Sequence, residues 1–265
     1  MGLRDLENRK QILIALTIAG SDSGGGAGIQ ADLKTFAVLG IHGTSAVTCL
    51  TAQNPKRVLA VQPCRPEILR RQLEAVFAEL RPSAIKTGML FSAALVQTVV
   101  NFLRSQPRIP LVVDPVMVAS SGTRLLKTAG VHALCTGLLP LATLITPNLE
   151  ETEFLTGLPV RSPEAMRGAA KQLHKRFGCA ALVKGGHLHG YREAVDILFD
   201  GRSEWLLRAP FVRGLKTHGT GCTYSAAITA GLARGLGLPE AVCQAKAYLT
   251  QALEGARLAG GHAIL

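Results

Sequence analysis

An α/β fold of three layers, with a mostly parallel central sheet and helices on both of its faces, is what this sequence predicts, and three observations predict it. Short apolar, β-rich runs alternate with longer helical patterns along nearly the whole chain, which is how repeated βαβ units read. Hydrophobic residues make up 48% of the 265 residues and charged residues 18%, a balance that favours extensive burial in one sizeable core. The residues with chemical character follow the ends of the apolar runs, where open parallel sheets bind their ligands.

Taken in order, the expected elements are a strand over 12–19 and a helix over 29–39, then a strand over 46–50 and a helix over 66–80, then a strand over 84–86 and a helix over 92–104. Further strands over 110–113, 144–146 and 180–183 are separated by helices near 128–139, 149–155 and 163–177. The runs 195–199 and 204–207, joined by Asp200-Gly201-Arg202, read as a hairpin with an Asp-Gly turn and so as an antiparallel edge. Two helices, 223–234 and 239–257, close the chain. Residues 1–10 are polar and are expected to form a frayed tail. No linker divides the remainder, so 11–265 is expected to be a single domain.

Twenty-nine Lys and Arg against eighteen Asp and Glu give a formal charge of +11. The basic residues are scattered, and aromatics are 5% of the chain, poor material for stacking on bases. The surplus therefore points to a solvated basic face and small anionic substrates and away from nucleic acid. No apolar run approaches the ~18 residues of a membrane span. The six cysteines include no C-x-x-C pair, which fits a reducing, cytoplasmic setting.

The most informative stretch is Thr217-His218-Gly219-Thr220-Gly221-Cys222-Thr223, a glycine-loosened turn running into the small-residue helical pattern that begins at Ser225. Such a turn gathers unpaired backbone N–H groups and the positive end of a helix dipole, which suits a phosphate. Cys222 lies among those donors, and the combination reads as phosphoryl-transfer chemistry. A second glycine-rich stretch, 19–28, follows the first strand and allows close approach of backbone to a ligand. Within it, 26–31 fits G-x-G-x-x-A, but no Asp or Glu occurs over 33–66 to hold a ribose, so a dinucleotide fold is disfavoured. No Gly-Lys pair occurs, which excludes a Walker loop.

Asp114 ends a strand before Pro115. A carboxylate there is costly unless it meets a cation such as Mg²⁺, with turn capping as the competing role. Asn148 and Glu151 open a helix and read as capping residues. Lys184, before two glycines, is set for a phosphate contact. His187 and His189 have no cysteine or carboxylate set around them, which argues against zinc.

With these pieces placed, the chain from about Ala15 to its end resembles the hydroxymethylpyrimidine/phosphomethylpyrimidine kinases of thiamine biosynthesis, a branch of the ribokinase-like superfamily. The resemblance rests on 15–35, Lys86-Thr87-Gly88-Met89-Leu90, Asp114-Pro115-Val116-Met117, Thr146-Pro147-Asn148, Lys184-Gly185-Gly186-His187 and 218–223. It implies a pyrimidine pocket lined by Gly20, Asp32, Gln53, Met89, Val116 and Cys222. Gln53 and Asp32 would read the ring nitrogens and amino group, and Met89 and Val116 would touch the ring faces. It further implies ATP phosphates held by Asn148, Lys184, Thr217, His218 and the 219–222 loop, Mg²⁺ on Asp114 and Glu151, and a homodimer.

Cys222 stands where the superfamily's usual base is an Asp. A thiol at a helix N-terminus is expected to have a lowered pKa and to accept a proton, secondary to the charge stabilisation by Gly219, Thr220 and Gly221. Ser120 stands where many relatives carry Lys. The same resemblance leaves pyridoxal or pyridoxine kinase as the alternative activity. A vitamin-binding protein without turnover is disfavoured by the presence of Asp114 and Lys184.

Overall fold

The computed structural model describes residues 12–118, 125–186, 188, 191–212 and 218–265. The expected frayed tail, Ser120, His187, His189 and Thr217 lie outside them. Along the chain run β1 (Ile14–Asp22), α1 (Gly28–Val38), β2 (His42–Asn54), β3 (Arg57–Pro63), α2 (Pro66–Glu79), β4 (Ala84–Thr87) and α3 (Ala93–Arg104). Then follow β5 (Leu111–Val113), α4 (Thr128–Ala133), β6 (Leu144–Ile145), α5 (Leu149–Thr156), α6 (Pro163–Phe177), β7 (Ala180–Gly185), β8 (Glu193–Phe199) and β9 (Glu204–Pro210). The chain closes with α7 (Thr220–Ala233), α8 (Leu238–Glu254), β10 (Arg257–Ala259) and β11 (His262–Ile264).

One sheet takes the order β3-β2-β1-β4-β5-β6-β7-β8-β9. Its centre, β2 to β7, is parallel, and its edges β3, β8 and β9 are antiparallel. Successive residues of a strand point to opposite faces, and two cores follow. Leu16, Ile18, Ile85 and Val113 pack with α2, α3, α4 and α6, while Ala15, Ala84 and Val112 pack with α1, α7 and α8. The chain leaves β1 for β2 on one side and reaches β4 on the other, so a topological switch point lies beyond the carboxyl ends of β1 and β4.

Three elements differ from the sequence expectation. The strand placed at 46–50 is the middle of the longer β2, and the unpredicted β3 pairs with it; Asn54 Oδ1 accepts N–H bonds from Lys56 at 2.9 Å and Arg57 at 3.2 Å. That Asx turn reverses the chain. The helix expected over 128–139 keeps α geometry to Ala133, then widens to a π turn over Leu134–Leu138 and tightens to a 3-10 turn over Leu139–Leu141, where Pro140 cannot extend an α ladder. The last helix ends at Glu254, and β10 and β11 form a hairpin about Gly260 and Gly261 at φ 55° and 78°, the positive values that a two-residue type I′ turn requires. No described helix is long and apolar enough to cross a membrane.

Candidate active site

A cavity of about 450 Å³ opens at the switch point. Its first wall is the exit of β1. Gly28 begins α1 at φ 56°, and a Cβ there would stand 2.3 Å from Gly20 O, so glycine is required for the loop to fold back on its own strand. Asp22 ties the loop down: Oδ1 accepts from Gly24 N at 2.7 Å, and Oδ2 from Gly26 N at 3.1 Å and Ala27 N at 2.8 Å. His218 Nε2 lies 3.1 Å from the same Oδ2. Burial disfavours the Asp22 carboxylate, but His218 and the Gly24 and Ala27 amides outweigh it and lower its pKa to about 2. The two glycine-rich stretches, joined here across 196 positions of sequence, are therefore one structure.

The contact between them is backbone on backbone. Gly219 is the N-cap of α7 at φ 81°, and a Cβ on it would stand 1.8 Å from Gly26 O. Thr223 N is the first amide of α7 to reach an acceptor in its own turn, Gly219 O at 2.9 Å. The amides of Thr220, Gly221 and Cys222 are the initial donors that a helix cannot satisfy internally, and the dipole adds positive potential there. Gly221 keeps the approach open: a Cβ there would lie 3.2 Å from Lys184 Nζ and 3.8 Å from Asp114 Oδ2.

Lys184 and Asp114, at the ends of β7 and β5, meet at 2.8 Å. Thr146 Oγ1 also donates to Asp114 Oδ1 at 3.1 Å, and Ser225 Oγ lies 3.4 Å from Oδ2. Burial opposes ionisation of Asp114, yet Lys184 and Lys86 hold it below the usual carboxylate range. The cation it meets is thus a lysine of the chain. Asn148 and Glu151 form a full capping box on α5, with Glu151 N donating to Asn148 Oδ1 at 2.8 Å and Asn148 N to Glu151 Oε2 at 2.9 Å. Burial pushes Glu151 up to about 7, with Lys184 opposing and Asp114 adding to the rise. Both residues also line the cavity, so the capping pair forms part of its wall.

Gly20, Gln53, Met89, Val116 and Cys222 line the same cavity. Met89 belongs to a small satellite core with Cys49 and Leu125, against which Val116 packs. Asp32 is a correction to the sequence reading. It is 0% exposed and does not reach the cavity wall; its Oδ1 takes Lys86 Nζ at 2.5 Å and its Oδ2 takes Thr17 Oγ1 at 2.6 Å. Both oxygens are occupied by the protein, which leaves no direct reading of a ring. The Cys222 thiol is a second correction: burial pushes it up to about 11, although Lys86 pulls the other way. Desolvation outweighs the helix terminus, and the resting group at neutral pH is the neutral thiol.

Sequence reasoning missed Lys86 and the buried Asp196, which accepts from Lys246 Nζ at 2.6 Å and from Gly185 N at 2.9 Å. A signal existed for both, since each is a lone charge inside an apolar strand and such a charge needs a partner. Lys86, Asp196 and Lys246 all line the cavity.

Glycine-built anion donors at a helix start, set beside a lysine and an aspartate beyond the ends of a parallel sheet, belong to the small-molecule phosphotransferase class of α/β proteins. Comparison with known proteins places the chain within that class. The family profile described as phosphomethylpyrimidine kinase matches residues 22–264, and the chain belongs to that family. It is 50% identical over 244 residues to the hydroxymethylpyrimidine/phosphomethylpyrimidine kinase of Rhizobium meliloti, covering 92% of this chain and 91% of that protein. The crystal structure of phosphomethylpyrimidine kinase from Clostridium difficile is similar at 42% identity and a TM-score of 0.80, over 91% of this chain and 99% of the other. The pyridoxal kinase of Staphylococcus aureus, solved with AMP-PCP and pyridoxal, gives a TM-score of 0.87 at 34% identity, over 97% and 93%. Backbone likeness therefore does not separate the two activities, whereas sequence identity favours the pyrimidine kinases.

Proposed function

We propose that this protein transfers the γ-phosphoryl group of ATP to the hydroxymethyl oxygen of 4-amino-5-hydroxymethyl-2-methylpyrimidine, and then phosphorylates the monophosphate to the diphosphate, in thiamine biosynthesis. The observation that carries this reading is the convergence of the 220–222 amides with Lys184 and Asp114 in a cavity whose wall also includes Met89 and Val116. The ring lies against that wall, and the half-buried Gln53 amide, which can both donate and accept, meets its amino group and nitrogen. The hydroxymethyl arm points to Cys222 and the α7 amides. Asn148, Lys184 and His218 take the ATP side, and Thr217 is assigned to ATP from the family resemblance alone.

Phosphoryl transfer asks the protein chiefly for position and for stabilisation of charge on the transferred group. The α7 amides and Lys184 supply both, and a neutral Cys222 thiol serves as a contact rather than a base. Among the described residues no group of three or more His, Cys, Asp or Glu side chains forms a metal cage. Mg²⁺ needs none, because it is usually held by one or two carboxylates together with substrate phosphates. Asp114 and Glu151 fit that demand, and the ion, when bound, would neutralise charge between the phosphates. A homodimer and a cytoplasmic location belong to the same proposal; light scattering checks the first.

Incubating the protein with ATP, Mg²⁺ and either the pyrimidine or pyridoxal, and following mass, tests the reading. Two successive phosphate additions to the pyrimidine are expected. Addition to pyridoxal alone would replace this assignment by the alternative.

A further inference from the structure

Lys86 stands in β4, a strand buried along its whole length. Its side chain and that of Asp32 are both 0% exposed, with Nζ 2.5 Å from Oδ1. Burying two charges is expensive, and a well-packed apolar pair in the same place is commonly as stable or more so. The pair therefore calls for a reason other than stability, and its orientation offers one. Lys86 and its neighbour Gly88 line the cavity while Asp32 does not, so the buried pair is a fixed dipole with its lysine on the cavity side. Parallel register sets Thr17 of β1 beside Lys86 of β4, and Thr17 holds the far carboxylate oxygen at 2.6 Å. A Cβ on Gly88, which also lines the cavity, would stand 3.6 Å from Nζ, in ordinary contact, so the ammonium end of the pair lies beside that wall. At neutral pH, with the Cys222 thiol neutral, Asp32 first and Asp114 after it are the charges this ammonium feels.

We propose that Lys86 is a positioning residue for phosphoryl transfer, an ammonium clamped by Asp32 and Thr17 that adds positive potential beside the α7 amides and favours the negative charge gathered by the attacking oxygen and the group it receives. This rests on the kinase reading above. As the hydroxymethyl oxygen bonds to the γ-phosphorus, the bond to the ADP oxygen breaks and the hydroxyl proton passes to an oxygen of the transferred group. Lys86 neither gives nor takes a proton. Asp32 acts through Lys86 and not on the substrate.

The test replaces the pair by apolar groups, Lys86→Met with Asp32→Leu, and assays the full chain with ATP and the pyrimidine beside the wild type. The expected result is a thermal midpoint close to wild type, a KM for the pyrimidine within about threefold, and a kcat lower by roughly tenfold or more. A folded double variant with wild-type kcat would overturn the proposal, because a purely structural pair is dispensable once its neutral substitute folds. Should the double variant not fold, Thr17→Val loosens the clamp alone: a kcat lower by about threefold at unchanged KM supports the proposal, and an unchanged kcat overturns it. If the wild type itself fails to phosphorylate the pyrimidine, the kinase reading fails instead, so the two failures are distinct.

Discussion

The Lys86–Asp32 pair is sealed, with both side chains 0% exposed, whereas Lys184–Asp114 keeps 12% and 4% of its side-chain surface accessible. The two pairs use the same groups at similar distances, 2.5 Å and 2.8 Å, and both lysines reach one cavity. What differs is whether the carboxylate is spent. Asp32 has both oxygens filled by Lys86 and Thr17, while among the described residues Asp114 Oδ2 meets the long 3.4 Å approach of Ser225 Oγ. A sealed pair can act only through its field; an open one can trade its partner for a ligand.

Neutralising each aspartate in turn should break the comparison most sharply. Asp114→Asn is expected to lower kcat by roughly 10³-fold or more, since it removes the acid that the proposed kinase reading sets beside the phosphates, while circular dichroism shows the fold retained. Asp32→Asn is expected to act first on stability, by about 3–5 kcal/mol in denaturant titration, because it strands a buried ammonium. Equal losses of stability in the two variants would erase the distinction between sealed and open.

A smaller effect concerns the acid next to the open pair. Glu151 has its folded pKa raised from 4.5 to about 7, so its protonated folded form contributes stability that is fully present below about pH 4.5 and is lost as pH rises through 7. Glu151→Gln keeps the capping box and removes the titration. The variant is expected to gain roughly 2 kcal/mol on the wild type between pH 5 and pH 8; parallel thermal melts across that range would contradict the assigned burial.

The smallest effect is expected at the thiol. With its pKa pushed up to about 11, Cys222 is neutral at pH 7, and Cys222→Ser should retain kcat within about tenfold. Peptide-resolved alkylation should find the exposed Cys243 modified well before Cys222. A loss well beyond ~10⁴-fold in a folded Cys222→Ala variant would restore the thiol to the centre of the chemistry.

Much of the site is legible in the sequence. The 217–223 turn announced its donors through glycine spacing, and the capping residues Asn148 and Glu151 are read correctly from their place ahead of a helix. The β8–β9 hairpin follows its Asp-Gly turn, with Gly201 at φ 98°. β3 was missed although Asn54-Pro55 marks a turn, because its edge position leaves it mostly exposed and without a strong apolar pattern. Asp32 was misassigned because a motif names a residue type without saying which way it faces; helix α1 turns it inward onto Lys86. The Cys222 thiol was misjudged because the local helix terminus is visible in sequence and desolvation by distant segments is not.

The chain order of apolar runs, glycines and lone charges determined on its own the α/β class, the helix-start anion donors and the identities of the acids and lysines, since propensity, turn geometry and dipoles act over a few residues. Tertiary structure alone decided that the 20–28 and 218–221 loops interlock through Asp22, His218 and Gly219. It also decided that one lysine–aspartate pair is closed while the other opens on the cavity. Burial and pairing across tens to hundreds of residues fix the free energy of a charge, and only the packed molecule brings those partners together.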